Sequence, residues 1–428
     1  MPDRTTSGSA EGPGLRVAYV MSRFPKLTET FVLFEMLAVE RAGVAIELYP
    51  LLRERTTTMH PEAVPLVARA RYLPFLSWSI VKSQLWFLRH RPRRYVGTIA
   101  AIVRGTWSSP NFLIGGLGIL PKVAHAARMM RAQGVDHVHC HFANHPAMAG
   151  YIIHRLVGLP FSFTAHGSDL HVDRHMLCEK VAAARFVVAI SDDNRRVIEA
   201  TCPGAGGRVE VIHCGVDTSV FQPAVRPEDD DVLPAAARGP QDRPLEILAI
   251  GTLHEVKGQS VLVESVRVLQ ERGVAARARL VGEGADRSML EGRIAAAGLD
   301  GRVQLLGTRT RDQIVELLGS TDVLVAPSVP TKAGKREGIP VVLMEAMASG
   351  VPVVASRLSG IPEIVHDGEN GRLFPPGDPG ALADALTDLA GDGALRERLG
   401  RAARERVLRD FDVDVNARRL IQTIRAAA

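Results

Sequence analysis

A series of short apolar runs, each followed by a stretch with helical spacing, most restricts how this 428-residue chain can fold. LRVAYVM, AIELYPLL, VDHVHCHF, PFSFTAH, RFVVAIS and VEVIHCGVD make up the first series. LEILAIGTL, ARARLVGEG, RVQLLGT, DVLVAPS and VPVVASR make up the second. Strands that alternate with helices pair in parallel and give doubly wound sheets. Between the series, PAVRPEDDDVLPAAARGPQDRP is rich in proline and charge and has no apolar period, which is the composition of a linker. The predicted organisation is a polar, disordered segment over 1–14, a first α/β domain over 15–221, a linker over 222–244 and a second α/β domain over 245–413. The end of the chain, 394–428, is strongly helical. Ligands of such sheets bind at the carboxyl ends of the strands.

Composition narrows the class. The length suits two cores, and 46% apolar with 23% charged residues is ordinary for a globular protein. Four cysteines (Cys140, Cys178, Cys202, Cys214) show no C-x-x-C spacing and are expected to be reduced thiols of a cytoplasmic protein. The N-terminus carries no apolar signal-like segment, and no run of about 18 apolar residues predicts a spanning helix. The net charge of +5 hides an asymmetry: between Glu62 and Asp136 there are eleven cations, all three tryptophans and no acid. YLPFLSWSIVKSQLWFLRHRPRR has the composition of an interfacial helix, so the 72–107 region is expected to meet an anionic membrane surface. A solvated basic helix face is the plainer alternative. No nucleic-acid motif is present, and no nucleic-acid partner is expected.

Two carboxylates, Glu337 and Glu345, flank the opening of an apolar helix in EGIPVVLME. The preceding loop brings Lys332, Lys335 and Arg336 to that helix N-terminus, where N–H groups and the dipole attract phosphate. A carboxylate there is suited to sugar or ribose hydroxyls, so the pair suggests a nucleotide sugar. Glu345, inside an apolar helix, needs a partner if ionised. His137, His139 and His141 alternate along one predicted strand, and His139 with His141 could chelate. No carboxylate is evident near them in sequence, and no metal site is expected. The G-x-G of LVGEGADR is weak support for a nucleotide site. Thr28, Glu29 and Thr30 read as the capped opening of a helix.

EGIPVVLMEAMASGVPVVASRLSGIPEIV resembles the E-x7-E region of glycosyltransferase family 4, retaining enzymes of the GT-B fold. GLRVAYVMSRFPKLTETFVLFEM, FTAHGSDL, VIHCGVD and LVGEGADRSML fall in the family's order, and SRFPKLTETF looks most like the branch that builds exopolysaccharides of the colanic-acid or amylovoran type. The resemblance implies two Rossmann-like domains facing across a cleft, with a last helix (414–428) that crosses back to the first. It implies that His166, Lys257 and Glu337 are catalytic: Glu337 on the donor sugar's hydroxyls, Lys257 on the diphosphate, His166 near the reacting carbon. It places Thr252, Arg309, Gly338, Ile339, Pro340 and Glu345 around the donor, with Glu345 on the ribose diol. Thr28, Glu29, His141, Gly167 and Asp169 fall on the acceptor side. One position departs from the family, which commonly has G-R-L where this chain has Thr252. Arg309, Lys332, Lys335 or Arg336 must replace the missing arginine, or the leaving group is less stabilised. The expected activity is retaining, metal-independent sugar transfer from a UDP- or GDP-sugar to a lipid-linked glycan in surface polysaccharide synthesis, with no cofactor beyond that co-substrate. The protein is expected on the inner face of the plasma membrane. A nucleotide-sugar epimerase and a silent nucleotide-sugar-binding subunit are the alternatives.

Overall fold

The computed structural model describes residues 14–26, 29–55, 59–171, 174–224, 243–332, 334 and 336–427. Thr28, Lys335, residues 1–13 of the expected disordered segment and residues 225–242 of the expected linker lie outside them. The chain divides into two compact units. Met1–Thr164, His175–Val187 and Ile421–Ala428 form one, and Ala165–Arg174 with Val188–Leu420 form the other.

The strands are β1 (Arg16–Val20), β2 (Arg23–Phe24), β3 (Ala45–Leu48), β4 (Leu52–Arg53), β5 (His137–His141), β6 (Phe161–Ala165), β7 (Val187–Ala189), β8 (Val209–Val211), β9 (Leu245–Ile250), β10 (Ala276–Val281), β11 (Val303–Gly307), β12 (Val323–Ala326), β13 (Val353–Ser356) and β14 (Arg372–Phe374). They form two six-stranded sheets, ordered β3-β1-β5-β6-β7-β8 and β11-β10-β9-β12-β13-β14. The strands pair in parallel, β1 with β3 and β5, β9 with β10 and β12. The short pair β2-β4 stands apart. Both sheets are the doubly wound α/β architecture read from the sequence.

Burial explains the apolar runs. Every residue of β5, β6, β12 and β13 is buried, as strands covered on both faces require. In the second sheet one face packs around Leu262, Val266, Leu269 and Leu386, and the other around Met344, Met347, Val407 and Phe411. The three histidines of β5 are fully buried in this setting. Ser162 on the neighbouring strand lies 2.7 Å from His137 Nε2 and 2.8 Å from His139 Nδ1, and Thr164 Oγ1 lies 3.0 Å from His139 Nε2. Burial pulls the His137 imidazole down to about 3, so it is neutral at ordinary pH.

Two expectations are corrected. The tryptophan-bearing segment is not one helix: Ser77 caps a helix Trp78–His90 through the Ile80 N–H (3.3 Å), and Pro92 opens a new helix, Pro92–Thr106. Proline lacks the N–H that the first helix would need, but suits the first position of the second. Second, Cys178 and Cys202 are disulfide-bonded, while Cys140 and Cys214 are free thiols. The absence of C-x-x-C spacing is silent about cysteines on separate helices, here Leu177–Ala183 and the end of Asp192–Thr201. No helix of the described residues is long and apolar enough to cross a membrane.

Candidate active site

The order of the second sheet reverses between β9 and β12, because the chain builds outward from β9 first on one side and then on the other. The carboxyl ends of two such strands leave a crevice between them. Here it has a volume of about 270 Å³ and is lined by Ala249, Ile250, Lys257, Gln259, Val325, Ala326, Pro327, Ser328, Glu337, Pro340 and Val342. The turn after β9, Glu255–Lys257, ends at Gly258 with φ +64°, where a Cβ would stand 1.9 Å from the Pro327 carbonyl oxygen. Only glycine lets these two loops come so close.

That approach sets the central contact. Lys257 Nζ donates to Glu337 Oε1, and Ser328 Oγ donates to Glu337 Oε2 at 2.6 Å. The lysine and glutamate side chains are only 24% and 14% exposed. Both carboxylate oxygens are therefore engaged, and Lys257 is neither a surface lysine nor unpaired. Pro340 precedes the helix Val341–Ala348, and among the described residues no side-chain cap bond closes its N-terminus. Glu345 lies on this helix, partly buried, and burial pushes its carboxyl up to about 7 while the Arg311 guanidinium pulls the other way. Arg311 is itself held 3.4 Å from Asp217 and over the Phe221 ring.

His166, directly after β6, belongs to the same unit. A side chain on Gly338 would lie 3.7 Å from the His166 carbonyl oxygen, so the Glu337 loop and the histidine turn meet. Asp169 accepts from the His166 backbone N–H at 3.0 Å, which makes it a brace for that turn. Gly167 supplies the left-handed φ of +100° that the turn needs. Thr252 is exposed, and its carbonyl accepts from Gln259 Nε2 at 3.0 Å. Arg309 is half-buried and donates to the Thr308 carbonyl at 3.0 Å, while Lys332 and Arg336 are exposed. The glycines of LVGEG have a packing reason: a Cβ on Gly282 or Gly284 would stand 2.0 Å from Gly251 O or 2.2 Å from Leu253 O. They let β10 close on the turn after β9, and they need no nucleotide to explain them.

The model of glycosyl transferases group 1 matches residues 235–406, and that of glycosyltransferase family 4 matches residues 66–220. A glycosyltransferase of Escherichia coli (strain K12) named for colanic acid biosynthesis, WcaL, is 32% identical over 96% of this chain and 100% of its own. The chain belongs to glycosyltransferase family 4. A second relative, the amylovoran biosynthesis glycosyltransferase AmsK of Erwinia amylovora, is 28% identical over 97% of this chain and 100% of its own. Among solved structures, HepE of Anabaena in complex with UDP superposes with a TM-score of 0.68 at 19% identity over 96% of this chain and all of that one. HepE has also been solved with UDP-glucose. A glycosyltransferase of Rickettsia africae gives 0.68 at 18% identity, over 97% and 98% of the two chains. These likenesses fix the fold as GT-B.

The first sheet of this glycosyltransferase has its own reversal, between β1 and β5. Here the structure adds what the sequence reading lacked, a carboxylate beside the histidines. Glu35, from the helix Thr30–Arg41, places Oε1 3.3 Å from His141 Nε2 and 3.8 Å from His139 Nε2, and Tyr19 Oη donates to it at 3.2 Å. The ligand atoms of Glu35, His139 and His141 lie within 4.8 Å of one another, close enough for one divalent ion. The expectation that no carboxylate completes the set is thus overturned. Glu35 and His139 are 104 residues apart in sequence, and the β1-β5 pairing brings their elements together. His141 is fully buried and stacks on Tyr19 with ring centroids 5.6 Å apart. Glu29 occupies the cap position of that helix without a side-chain capping bond and instead pairs with Lys26 at 2.5 Å. Ser328, Arg311, Glu35 and Tyr19 are the site residues that the sequence reading missed.

Proposed function

We propose that this family 4 enzyme is a retaining, metal-independent transferase. Its donor is a UDP- or GDP-sugar and its acceptor a lipid-linked glycan, in exopolysaccharide synthesis at the cytoplasmic face of the membrane. The observation that carries this reading is the Lys257–Glu337–Ser328 cluster in the crevice where the second sheet reverses. In this reading the donor diphosphate lies by Lys257 and the N-terminal N–H groups of the helix Val341–Ala348, which supply the positive charge that the departing group needs. Glu337 then turns one oxygen from Lys257 to the donor sugar's hydroxyls, and Glu345 accepts from the ribose diol. The acceptor oxygen forms its bond to the anomeric carbon on the face from which the diphosphate leaves. The acceptor proton passes to the departing phosphate oxygen, so no protein nucleophile is required. His166 and Gly338 shape the space around the reacting carbon, with Asp169 bracing the turn. Thr252 offers only a hydroxyl, and the half-buried Arg309 is the cation that stands in for the missing arginine.

UDP and UDP-glucose in HepE support the donor class, and WcaL and AmsK support the polysaccharide role. The first experiment is thermal stabilisation by a panel of nucleoside diphosphates and nucleotide sugars, with Glu345→Ala beside the wild type. A shift confined to one nucleotide and lost in the variant is expected, since a ligand of the folded state stabilises by mass action. No shift with any nucleotide would overturn the reading.

A further inference from the structure

Among the described residues, eleven large hydrophobic side chains are exposed, and nine of them fall between Val64 and Ile114. Leu76 (78%), Trp107 (75%), Ile114 (72%) and Trp78 (67%) are the most exposed of all. They sit among cations in a window that holds no acid. On the helix Trp78–His90 the exposed residues Trp78, Lys82, Leu85 and Arg89 recur at spacings of four, three and four, which is one face of a helix. The opposite face, Ile80, Ser83 and Phe87, is buried. On Pro92–Thr106 the exposed stripe is Arg93, Val96, Ala100 and Arg104, and it runs on to Trp107. Lys82 Nζ lies 5.7 Å from the centre of the Trp78 ring. These helices pack on each other and on Pro110–Ala132. Arg89, Arg93, Arg94 and Arg104 make no side-chain ion pair or hydrogen bond among the described residues. Two residues of the same window belong to the fold instead: Arg91 donates to the Leu156 carbonyl at 2.9 Å, and Trp86 lies under Arg128 at 4.7 Å.

We infer that these stripes form a docking surface for an anionic lipid bilayer. Trp78 and Trp107 enter the headgroup layer, and Lys82, Arg89, Arg93, Arg94 and Arg104 meet lipid phosphates. A bilayer offers both what the tryptophans gain by leaving water and what the cations need, layered in that order, and long basic side chains reach up to the phosphates while their stems stay apolar. Nucleic acid offers phosphates but nothing for Leu76 or Ile114. A second copy would set one acid-free basic face against another, which repel. The inference reaches beyond sugar transfer, because it holds whether or not the protein turns over.

The test is co-sedimentation of the full chain with phosphatidylcholine vesicles, with and without phosphatidylglycerol, at low and high salt. Wild type should bind only the anionic vesicles and lose binding in salt. Arg89→Gln, Arg93→Gln, Arg94→Gln and Arg104→Gln combined should weaken partition on the order of several hundredfold, at about fivefold per cation. Trp78→Ala with Trp107→Ala should abolish the blue shift of tryptophan emission on binding, with Trp86 left as an internal reporter. An unchanged melting temperature certifies that each variant folds, as exposed side chains allow. Equal partition of wild type and the four-arginine variant overturns the inference. So does duplex DNA or RNA binding in place of vesicles, or self-association that the tryptophan variant abolishes without any vesicle binding.

Discussion

The two sheets reverse direction at equivalent places, yet the crevices there are furnished in opposite ways. At the β9/β12 reversal a lysine, a serine and a glutamate line an open cleft, with a helix N-terminus beside them. At the β1/β5 reversal Tyr19, Glu35, His139 and His141 fill the space with a mostly buried network. The same topology sets aside a place for ligands in both, and side chains alone decide whether it is left open. The second crevice holds a lysine and a glutamate beside an open space; the first is occupied by side chains that contact one another.

The largest effect expected follows from placing the chemistry in the second crevice. Lys257→Ala and Glu337→Ala should each lower release of nucleoside diphosphate about 10²–10³-fold while leaving vesicle binding untouched. Near-wild-type turnover in both would dissolve the contrast. Next comes Glu345, whose carboxyl rises from its ordinary 4.5 to about 7. The folded state holds the proton more tightly than the unfolded chain, so this group's contribution is complete below about pH 4.5 and is lost as pH rises through 7. Glu345→Gln keeps the protonated shape. It should match wild type in acid and exceed it by up to about 3 kcal/mol near pH 8, measured by chemical denaturation. A variant less stable than wild type at both pH values would mean that an ionised Glu345 is held by a strong partner.

Gly258→Ala should cost about 1–3 kcal/mol, because its Cβ collides with Pro327 O and the backbone there is left-handed. Activity should fall further than stability, since the Lys257 and Glu337 loops move apart. Smallest is Glu35→Gln, expected to cost about 1 kcal/mol through its Tyr19 and histidine contacts. It sharpens the comparison most directly. A loss of turnover as deep as that of Lys257→Ala would show that the first crevice takes part in the chemistry as well.

The strands were legible because doubly covered strands write themselves as unbroken apolar runs; β5 could be read despite three histidines, since valine and cysteine alternate with them. β14 was not, being three residues directly after Gly371 with no run to see. The lysine and the two glutamates of the second crevice were readable because all stand within a few residues of strand ends or a helix start. Ser328 was available by the same rule, two residues past β12. Glu35 was not, because it joins the histidines only through the pairing of β1 with β5. The disulfide state of Cys178 and Cys202 escaped for a like reason. The G-x-G misled because its glycines answer to neighbouring carbonyls, a demand that sequence does not display.

Those glycines also set what can be altered. Gly258, Gly282 and Gly284 each stand where a single methyl would strike main-chain oxygen, so the floor of the second crevice is cast in backbone and has almost no freedom to drift. Any retuning of what it accepts, by selection or by a protein engineer, falls instead to exposed positions such as Thr252, Lys332 and Arg336.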